Sequence, residues 1–181
     1  MTPDAAEIGS LAPDFSLPDP SGRVFTRDQL AGANGTLVAF ICNHCPYVVA
    51  IAERLADTAA HLSEQGVSTV AICANDARAY PDDAPDRMAE FAARHGFGFP
   101  YLVDESQAVA RAYGAVCTPD FFGYDKGKLL QYRGRLDDSG RSSSPEATPE
   151  LLNAMRQIAE TGTGPTQQWP SVGCSIKWKA D

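Results

Sequence analysis

The amino-acid sequence predicts an α/β domain in which helices flank a central mixed β-sheet. Residues 36–73 have the order strand, helix, strand of a right-handed βαβ unit with parallel strands. Residues 121–160 have the pattern of two antiparallel strands and a helix, and residues 15–26 that of a short hairpin. With 181 residues the chain is long enough for one domain with a substantial core and short for two. We therefore predict a single domain over residues 1–181.

The predicted domain has three parts. Residues 1–32 form an N-terminal extension, in which segments 15–17 and Val24–Thr26 pair as a β-hairpin around a loop of prolines and glycine. Residues 33–161 form the core, and residues 162–181 form a C-terminal tail. The tail carries two tryptophans among turn-forming residues, and we expect it to pack onto the core because burying these rings is favourable.

The βαβ unit has the clearest sequence pattern. Residues 36–41, TLVAFI, form a continuous apolar run, which is typical of a strand buried on both faces. Apolar residues then recur at helical spacing from 48 to 62, which predicts one long helix that begins near Pro46 and stops at Gly66. Val67–Cys73 is the second predicted strand.

The elements after the βαβ unit are shorter. In chain order, the sequence predicts a helix over 88–95, a strand over Tyr101–Val103, a helix over 107–113, a hairpin of strands 121–124 and 129–133, and a final helix with Thr148 as N-cap and Pro149 as first residue. The antiparallel hairpin added to a parallel pair is the reason that we expect a mixed sheet.

The charge and hydropathy of the chain exclude some classes of partner. The formal net charge is −8 and the isoelectric point is about 4.8, so the protein lacks the positive surface charge that would attract nucleic acids or anionic membranes. No segment approaches the about 20 apolar residues of a membrane span. The N-terminal segment carries Asp4 and Glu7 where a signal peptide would carry basic residues. We expect a cytoplasmic protein without nucleic-acid or membrane partners.

The spacing of two cysteines points to redox chemistry. Cys42 and Cys45 form a Cys-x-x-Cys motif between the first buried strand and the following helix, a location typical of redox pairs. A helix N-terminus favours thiolate over thiol, and two cysteines at this spacing can bond reversibly to each other. We expect one of the two sulfurs to be open to solvent.

Two other interpretations of the cysteines remain open. The pair could consist of buried core cysteines, or it could bind a metal together with His44 in the same loop. The sequence contains no second Cys-x-x-Cys, so we expect neither a metal nor another cofactor. Cys73 ends an apolar strand and is predicted to be a core residue, as is Cys117.

Three segments resemble a known superfamily. LAPDFSLPDPSGRVF, VAFICNHCP and VCTPDFF are similar to segments of the thioredoxin-like superfamily, closest to its peroxiredoxin-like branch (alkyl hydroperoxide reductase/thiol-specific antioxidant, redoxin) that retains a Cys-x-x-Cys. The similarity extends over roughly residues 8–160. It implies a thioredoxin-like fold and a thiol–disulfide oxidoreductase that cycles the pair between dithiol and disulfide. The implied partners are protein or small-molecule disulfides or thiols and an unidentified reductase.

The resemblance also implies roles for individual residues. Cys42 is similar to the exposed attacking cysteine and Cys45 to the resolving cysteine. His44 occupies the position of a histidine that stabilises the thiolate in strongly oxidising members. Thr118 and Pro119 resemble a Thr-Pro step whose cis-proline faces the cysteine pair and presents its backbone to an incoming peptide.

The same resemblance supports a second activity, that of a thiol peroxidase acting on peroxides with Cys45 as its peroxidatic cysteine. The motif Pro-x-x-x-Thr-x-x-Cys of such enzymes is incomplete here, because Val38 replaces the proline and Cys42 replaces the threonine. Arg133 or Arg135 would have to supply the arginine that polarises the peroxide; otherwise both are solvated residues near Asp137 and Asp138. A third possibility is a non-catalytic module whose cysteine pair only senses oxidation.

Cys174 is a candidate third thiol. It lies between glycine and serine in SVGCSI, within the tail that the tryptophans are expected to hold against the core. We hypothesise that Cys174 docks near Cys42 and Cys45 and takes part in their chemistry.

Overall fold

The structure, a computed structural model, describes residues 6–181. Its strands are β1 Ser16–Pro18, β2 Val24–Thr26, β3 Gly35–Phe40, β4 Val67–Cys73, β5 Tyr101–Val103, β6 Cys117–Thr118, β7 Asp120–Tyr124, β8 Leu130–Gly134 and β9 Cys174–Ser175. Its α-helices are α1 Arg27–Leu30, α2 Pro46–Val49, α3 Ala52–Ser63, α4 Pro85–Arg94, α5 Ala108–Tyr113 and α6 Glu150–Thr161, and a 3₁₀ turn spans Pro81–Asp83.

The central sheet is mixed, as predicted. Its order is β5-β4-β3-β7-β8, with β3, β4 and β5 parallel to one another and β7 and β8 antiparallel to their neighbours. Every residue of β3 is buried, which is the reason that its sequence is apolar apart from Thr36. The predicted hairpin of the N-terminal extension is also confirmed, since β1 and β2 pair antiparallel.

Helices cover both faces of this sheet. On one face, Leu37 and Ala39 of β3 pack with apolar residues of α3, α4 and α6. On the other face, Val38 and Phe40 pack with β1 and with Tyr113 of α5. The alternation follows from the two-residue period of a strand, which sends successive side chains to opposite faces.

The single helix predicted over 48–62 is wrong, because the chain forms two helices. Helix α2 ends at Val49, and Ile51 departs from helical geometry with φ −109° and ψ −3° before α3 begins. Val48, Val49 and Ile51 are β-branched, and such side chains lose rotamer freedom in a helix. Val48 and Ile51 still reach the core, so the apolar spacing persists across the break.

The prediction of Thr148 as a helix cap is also wrong. The N-cap of α6 is Pro149, without a side-chain hydrogen bond, and the helix begins at Glu150. The Thr148 N–H instead donates to Asp138 Oδ1 at 2.9 Å. A contact with a residue ten positions earlier therefore fixes this turn, and local cap chemistry could not reveal it.

Other differences concern short elements. Helix α4 begins three residues before the predicted start, and α5 begins at Ala108 because Gln107 adopts a left-handed conformation with φ 67°. The sequence analysis did not identify α1, the 3₁₀ turn Pro81–Asp83, or the two-residue strands β6 and β9. Strands this short carry too few residues to show alternation.

The C-terminal tail packs against the core, as predicted. Strand β9 pairs antiparallel with β6, and Ile176 is buried. The Arg111 guanidinium lies 4.2 Å from the Trp178 ring centre, whereas Trp169 stays half-exposed beside Arg135. The tail is thus part of the folded domain and forms one wall of the region around the cysteines.

No helix within residues 6–181 is long and apolar enough to span a membrane. The sequence analysis used the charges of Asp4 and Glu7 as an argument against a signal peptide. Asp4 lies outside the described residues, and Glu7 is exposed.

We predict that Gln107→Ala detaches the end of the tail. The buried Gln107 amide donates to the carbonyl groups of Ala74 and Lys177 and accepts from the Lys179 N–H, so its removal leaves backbone groups without partners. The free energy of unfolding should fall by about 2 kcal/mol. Amide hydrogen exchange should become faster around residues 177–179, and unchanged exchange there would contradict the prediction. The exposed neighbour Glu105→Ala is the matched control.

Candidate active site

Cys42 and Cys45 lie where β3 ends and α2 begins. Cys42 follows β3 by two residues, and Cys45 is the N-cap of α2, with Pro46 in the first turn. Both cysteines have 0% of their surface exposed. The expectation that one sulfur, and Cys42 in particular, is open to solvent is therefore wrong, because the tail covers this end of the sheet.

The surroundings of Cys45 stabilise a negative charge on its sulfur. The hydrogen bond from Cys42 lowers the pKa of Cys45 well below that of an ordinary thiol, and bonds from the Cys174 thiol and from the backbone N–H groups of Cys174 and Val48 act in the same direction. Burial opposes this shift but is the smaller effect. The thiol form can donate to the Thr118 carbonyl oxygen at 3.4 Å, and the thiolate gives up that one contact.

The surroundings of Cys42 have the opposite effect. The hydrogen bond with Cys45 raises the pKa of Cys42, and burial and the nearby Asp83 carboxylate raise it further. The Thr118 hydroxyl, 3.5 Å from the Cys42 sulfur, opposes them weakly. The thiolate of the pair therefore forms at Cys45, the residue that the resemblance implied to be the resolving cysteine.

His44 is held beside a buried carboxylate. Its Nδ1 lies 2.6 Å from Asp83 Oδ2, and its ring stacks on Tyr80 with 5.7 Å between ring centres. Asp83 also accepts the Asn43 N–H at 2.8 Å and the Asn75 side-chain amide at 2.9 Å. The Cys-x-x-Cys loop is thus fixed through Asp83, which the sequence analysis missed because it lies in an unpredicted 3₁₀ turn about 40 residues away along the chain.

Cys42, His44 and Asp83 are close enough together to be considered as ligands of a metal ion. One ligand atom each from Cys42, His44 and Asp83 lie within 4.8 Å of one another. However, both Asp83 oxygens already accept hydrogen bonds, from the Asn43 N–H and from the Asn75 side-chain amide. These donors fit the observed hydrogen-bond network better than they fit a metal ion.

Thr118 and Pro119 face the cysteine pair, and the bond between them is cis, as the resemblance implied. Thr118 contacts Cys42 through its hydroxyl and Cys45 through its carbonyl oxygen. The expectation that this backbone is free for an incoming peptide is wrong, since β9 of the tail already pairs with β6. In the pairing register, Thr118 lies opposite Cys174.

Cys174 contacts the pair directly, as hypothesised. Its sulfur lies 2.8 Å from the Cys45 sulfur, and its side chain is partly exposed. Cys73 is a buried core residue, as predicted, and burial raises its pKa to about 12. Cys117 is partly exposed, so the prediction of a core residue is wrong. It lies in β6, which pairs with β9 of the tail and is not part of the central sheet. None of the five cysteines is joined in a disulfide.

The two arginines proposed for a peroxide site are already paired with carboxylates. Arg133 donates to Asp120 at 3.1 Å, and Arg135 donates to Glu150 at 2.7 Å. Asp138 lies near Arg135, as predicted, and its charge raises the pKa of Arg135, whereas Asp137 pairs with Arg54.

A groove lies next to the site. It has a volume of about 290 Å³ and is lined by Pro119 of the Thr-Pro step, by Tyr47 and Ile51 around α2, and by Val172 of the tail. A larger cavity of about 530 Å³ lies between α3 and residues 96–100. No cysteine lines either space, but Pro119 of the smaller groove directly follows Thr118, which contacts both cysteines. The smaller groove is therefore the one that could hold part of a substrate.

The sequence as a whole matches a known family over most of its length. The profile of the AhpC/TSA family matches residues 8–134. The chain belongs to the AhpC/TSA family. Peroxidoxin BcpB from Mycobacterium tuberculosis has a TM-score of 0.58 at 21% identity, over 84% of this chain and 93% of that chain. The thioredoxin-like fold and the peroxiredoxin-like branch are thereby confirmed.

Two proteins with similar sequences belong to two kinds of redox protein. The chain is 28% identical over 122 residues to the thiol-disulfide oxidoreductase ResA of Geobacillus thermodenitrificans, spanning 67% of this chain and 66% of that protein. It is 26% identical over 134 residues to a putative peroxiredoxin, bcp, of Coxiella burnetii, spanning 74% and 83%. At family level, these similarities support redox activity of the thiol–disulfide oxidoreductase or peroxiredoxin-like kind.

Two solved structures are much more similar to this AhpC/TSA member. A hypothetical protein from Sinorhizobium meliloti 1021 has a TM-score of 0.92 and 44% identity, covering 97% of this chain and 96% of that chain. An uncharacterized conserved protein from Geobacillus kaustophilus has a TM-score of 0.91 and 41% identity, covering 97% and 94%. Their similarity extends through the tail, which lies beyond the residues that the family profile matches.

We predict that Asp83→Ala destabilises the protein through the loop that carries the cysteines. The substitution leaves the Asn43 N–H and the Asn75 amide without an acceptor in a buried site. The free energy of unfolding, measured by chemical denaturation, should fall by about 3 kcal/mol. Asp82→Ala removes an exposed carboxylate from the same turn and should change stability little. Equal stability of the two variants would contradict the anchoring role of Asp83.

Proposed function

We propose that the protein is a thiol–disulfide oxidoreductase that cycles Cys42 and Cys45 between dithiol and disulfide. The observation that carries this proposal is that both sulfurs contact one residue, Thr118, which lies 3.5 Å from the Cys42 sulfur through its hydroxyl and 3.4 Å from the Cys45 sulfur through its carbonyl oxygen. The lowered pKa of Cys45 supports it. A thiolate is the form that attacks a disulfide, and a second thiol beside it can release the mixed disulfide that results. The two electrons gained or lost by the pair balance the reduction or formation of one substrate disulfide.

A metal or an organic cofactor has no part in this reaction, since the exchange uses only sulfur atoms. Protein or small-molecule disulfides or thiols are the proposed substrates, and a separate reductase would return the pair to its starting state. We further propose that the protein works in the cytoplasm, where a Cys-x-x-Cys pair is kept in a state that can turn over.

Thiol peroxidase activity is the second candidate function. The low pKa of Cys45 and its position before Pro46 favour it, because a thiolate is also the form that attacks a peroxide. Two observations disfavour it. Cys42 stands where the motif requires a hydroxyl, and Arg133 and Arg135 are paired with carboxylates. The thiol–disulfide reaction needs neither group.

The proposed reaction predicts that reduction of insulin disulfides, driven by dithiothreitol, falls to the uncatalysed rate in Cys45→Ser. It should fall strongly in Cys42→Ser, where Cys174 remains as the neighbouring thiol that can release a mixed disulfide from Cys45. Cys117→Ser, which changes a partly exposed thiol, should keep the activity. Hydrogen peroxide consumption that is lost in Cys45→Ser but retained in Cys42→Ser would instead establish the peroxidase. Stable oxidation of the pair without turnover of either substrate would indicate a redox sensor.

The charge on Cys45 predicts a pH dependence of stability. Its pKa is lowered in the folded state, so the unfolded chain binds more protons at any pH between the two values. The free energy of unfolding should therefore fall as pH is lowered from about 8.5, the ordinary thiol pKa, by up to about 1.4 kcal/mol per pH unit. Urea denaturation at several pH values measures this slope.

The matched control for this measurement is Cys45→Ser, which removes the titrating sulfur. The difference in slope between the wild type and this variant isolates Cys45 from the carboxylates that titrate at lower pH. Identical slopes in the two proteins, or an ultraviolet thiolate absorbance that appears only above neutral pH, would contradict the assignment of the thiolate.

A further inference from the structure

The burial of the cysteine pair raises the question of how it meets a substrate. Cys42 and Cys45 are both fully shielded from solvent. In thiol–disulfide exchange, however, the attacking sulfur must come into direct contact with a sulfur of the substrate disulfide. Among the three sulfurs of the site, that of Cys174 belongs to a residue with surface exposure. The tail that buries the pair thus also carries a cysteine that is partly exposed.

The tail is fitted closely to this position. Strand β9 places Cys174 opposite Thr118, the residue whose hydroxyl and carbonyl contact Cys42 and Cys45. A Cβ atom on Gly173 would lie 2.0 Å from the Thr118 carbonyl oxygen, so this position requires glycine. The close approach brings the Cys174 sulfur to 2.8 Å from that of Cys45.

The surroundings of Cys174 act on its pKa in both directions. Burial and the hydrogen bond with Cys45 raise the pKa of Cys174, whereas the positive charges of Lys177 and Arg141 act against this shift. The low pKa of Cys45 makes its thiolate a weak base, so Cys174 gives up its proton to solvent and not to Cys45. The thiolate form of Cys174 that attacks a disulfide is then stabilised by the two positive charges.

We propose that Cys174 is the relay thiol through which the buried Cys42/Cys45 pair exchanges electrons with disulfides in solution. This proposal rests on the proposed thiol–disulfide function and adds the route by which a substrate reaches the pair. The substrate class is a disulfide small or flexible enough to present one sulfur at the surface beside the tail.

The relay consists of three balanced exchanges. First, the Cys174 thiolate attacks a substrate disulfide RSSR, forms a mixed disulfide and releases one RS⁻, which takes up a proton as RSH. Second, Cys45 attacks the Cys174 sulfur, forms a Cys45–Cys174 disulfide and releases the second RSH. Third, Cys42 attacks the Cys45 sulfur, and Cys174 leaves as a thiol. The net reaction reduces RSSR to two RSH and oxidises the pair to its disulfide.

The kinetic test uses oxidised glutathione as the probe. The reduced full-length protein is mixed with it, and formation of the Cys42–Cys45 disulfide is followed by acid quenching and peptide mapping. Cys174→Ser should slow this oxidation by about tenfold or more, because the buried sulfurs lose their accessible neighbour. Cys117→Ser, which changes a cysteine on the strand paired with β9, should leave the rate unchanged.

A second pair of variants separates a relay from simple damage to the tail. Gly173→Ala loosens the tail and exposes Cys45, so that adding Cys174→Ser in this background should no longer slow oxidation. Mapping should also detect the Cys45–Cys174 disulfide before the Cys42–Cys45 disulfide in the wild type. In Cys45→Ser, the glutathione adduct should accumulate on Cys174.

Some results would overturn the relay while leaving the proposed function intact. Oxidation of Cys174→Ser at the wild-type rate or faster, in a protein that still turns over disulfides, would show that the tail is only a cover that lifts from Cys45. A glutathione adduct on Cys42 instead of Cys174 in Cys45→Ser would have the same consequence. Failure of the wild type itself to form the Cys42–Cys45 disulfide would refute the proposed function as well.

Discussion

The antiparallel pairing of β9 with β6 is the constraint on which the rest of the site depends. It closes the end of the sheet over Cys42 and Cys45, places Cys174 against the Cys45 sulfur and occupies the backbone beside the cis Pro119. Only two residues of each strand take part, so this pairing depends on the tail residues that follow it. Ile176 is buried in the core. The Gln107 amide donates to the Lys177 carbonyl oxygen and accepts from the Lys179 N–H, and the Asn75 side chain accepts from the Lys177 N–H.

A buried thiolate is expensive unless hydrogen bonds replace the water that it loses. The neighbouring thiols of Cys42 and Cys174, and backbone N–H groups of α2 and the tail, lower the pKa of Cys45 in this way. Cys42 lacks comparable donors and lies near the negative charge of Asp83, so a second charge there would be strongly unfavourable. The asymmetry between the two cysteines therefore follows from the tail and from the 3₁₀ turn, and both lie far from the motif in sequence.

The sequence analysis succeeded where local pattern and tertiary structure agree. Strands β4 and β5 have their predicted bounds, and β3 is shifted by one residue, because strands that are mostly buried consist largely of apolar residues. The errors have tertiary causes. Val48 and Ile51 reach the core across the break between α2 and α3, and Asp138 fixes the turn before α6. Asp83 could not be found from the sequence, since an isolated aspartate has no spacing that indicates burial.

The sequence by itself determined the α/β class, the family resemblance, the location of the cysteine pair at the end of a strand, and the attachment of the tail to the core. These features depend on apolar periodicity and on short contiguous motifs, which are properties of neighbouring residues. Only the tertiary structure decided which cysteine carries the charge, that both are shielded, and that Cys174 contacts Cys45 at 2.8 Å. The physical reason is that pKa and exposure depend on groups brought together in space, here across 129 positions of the chain.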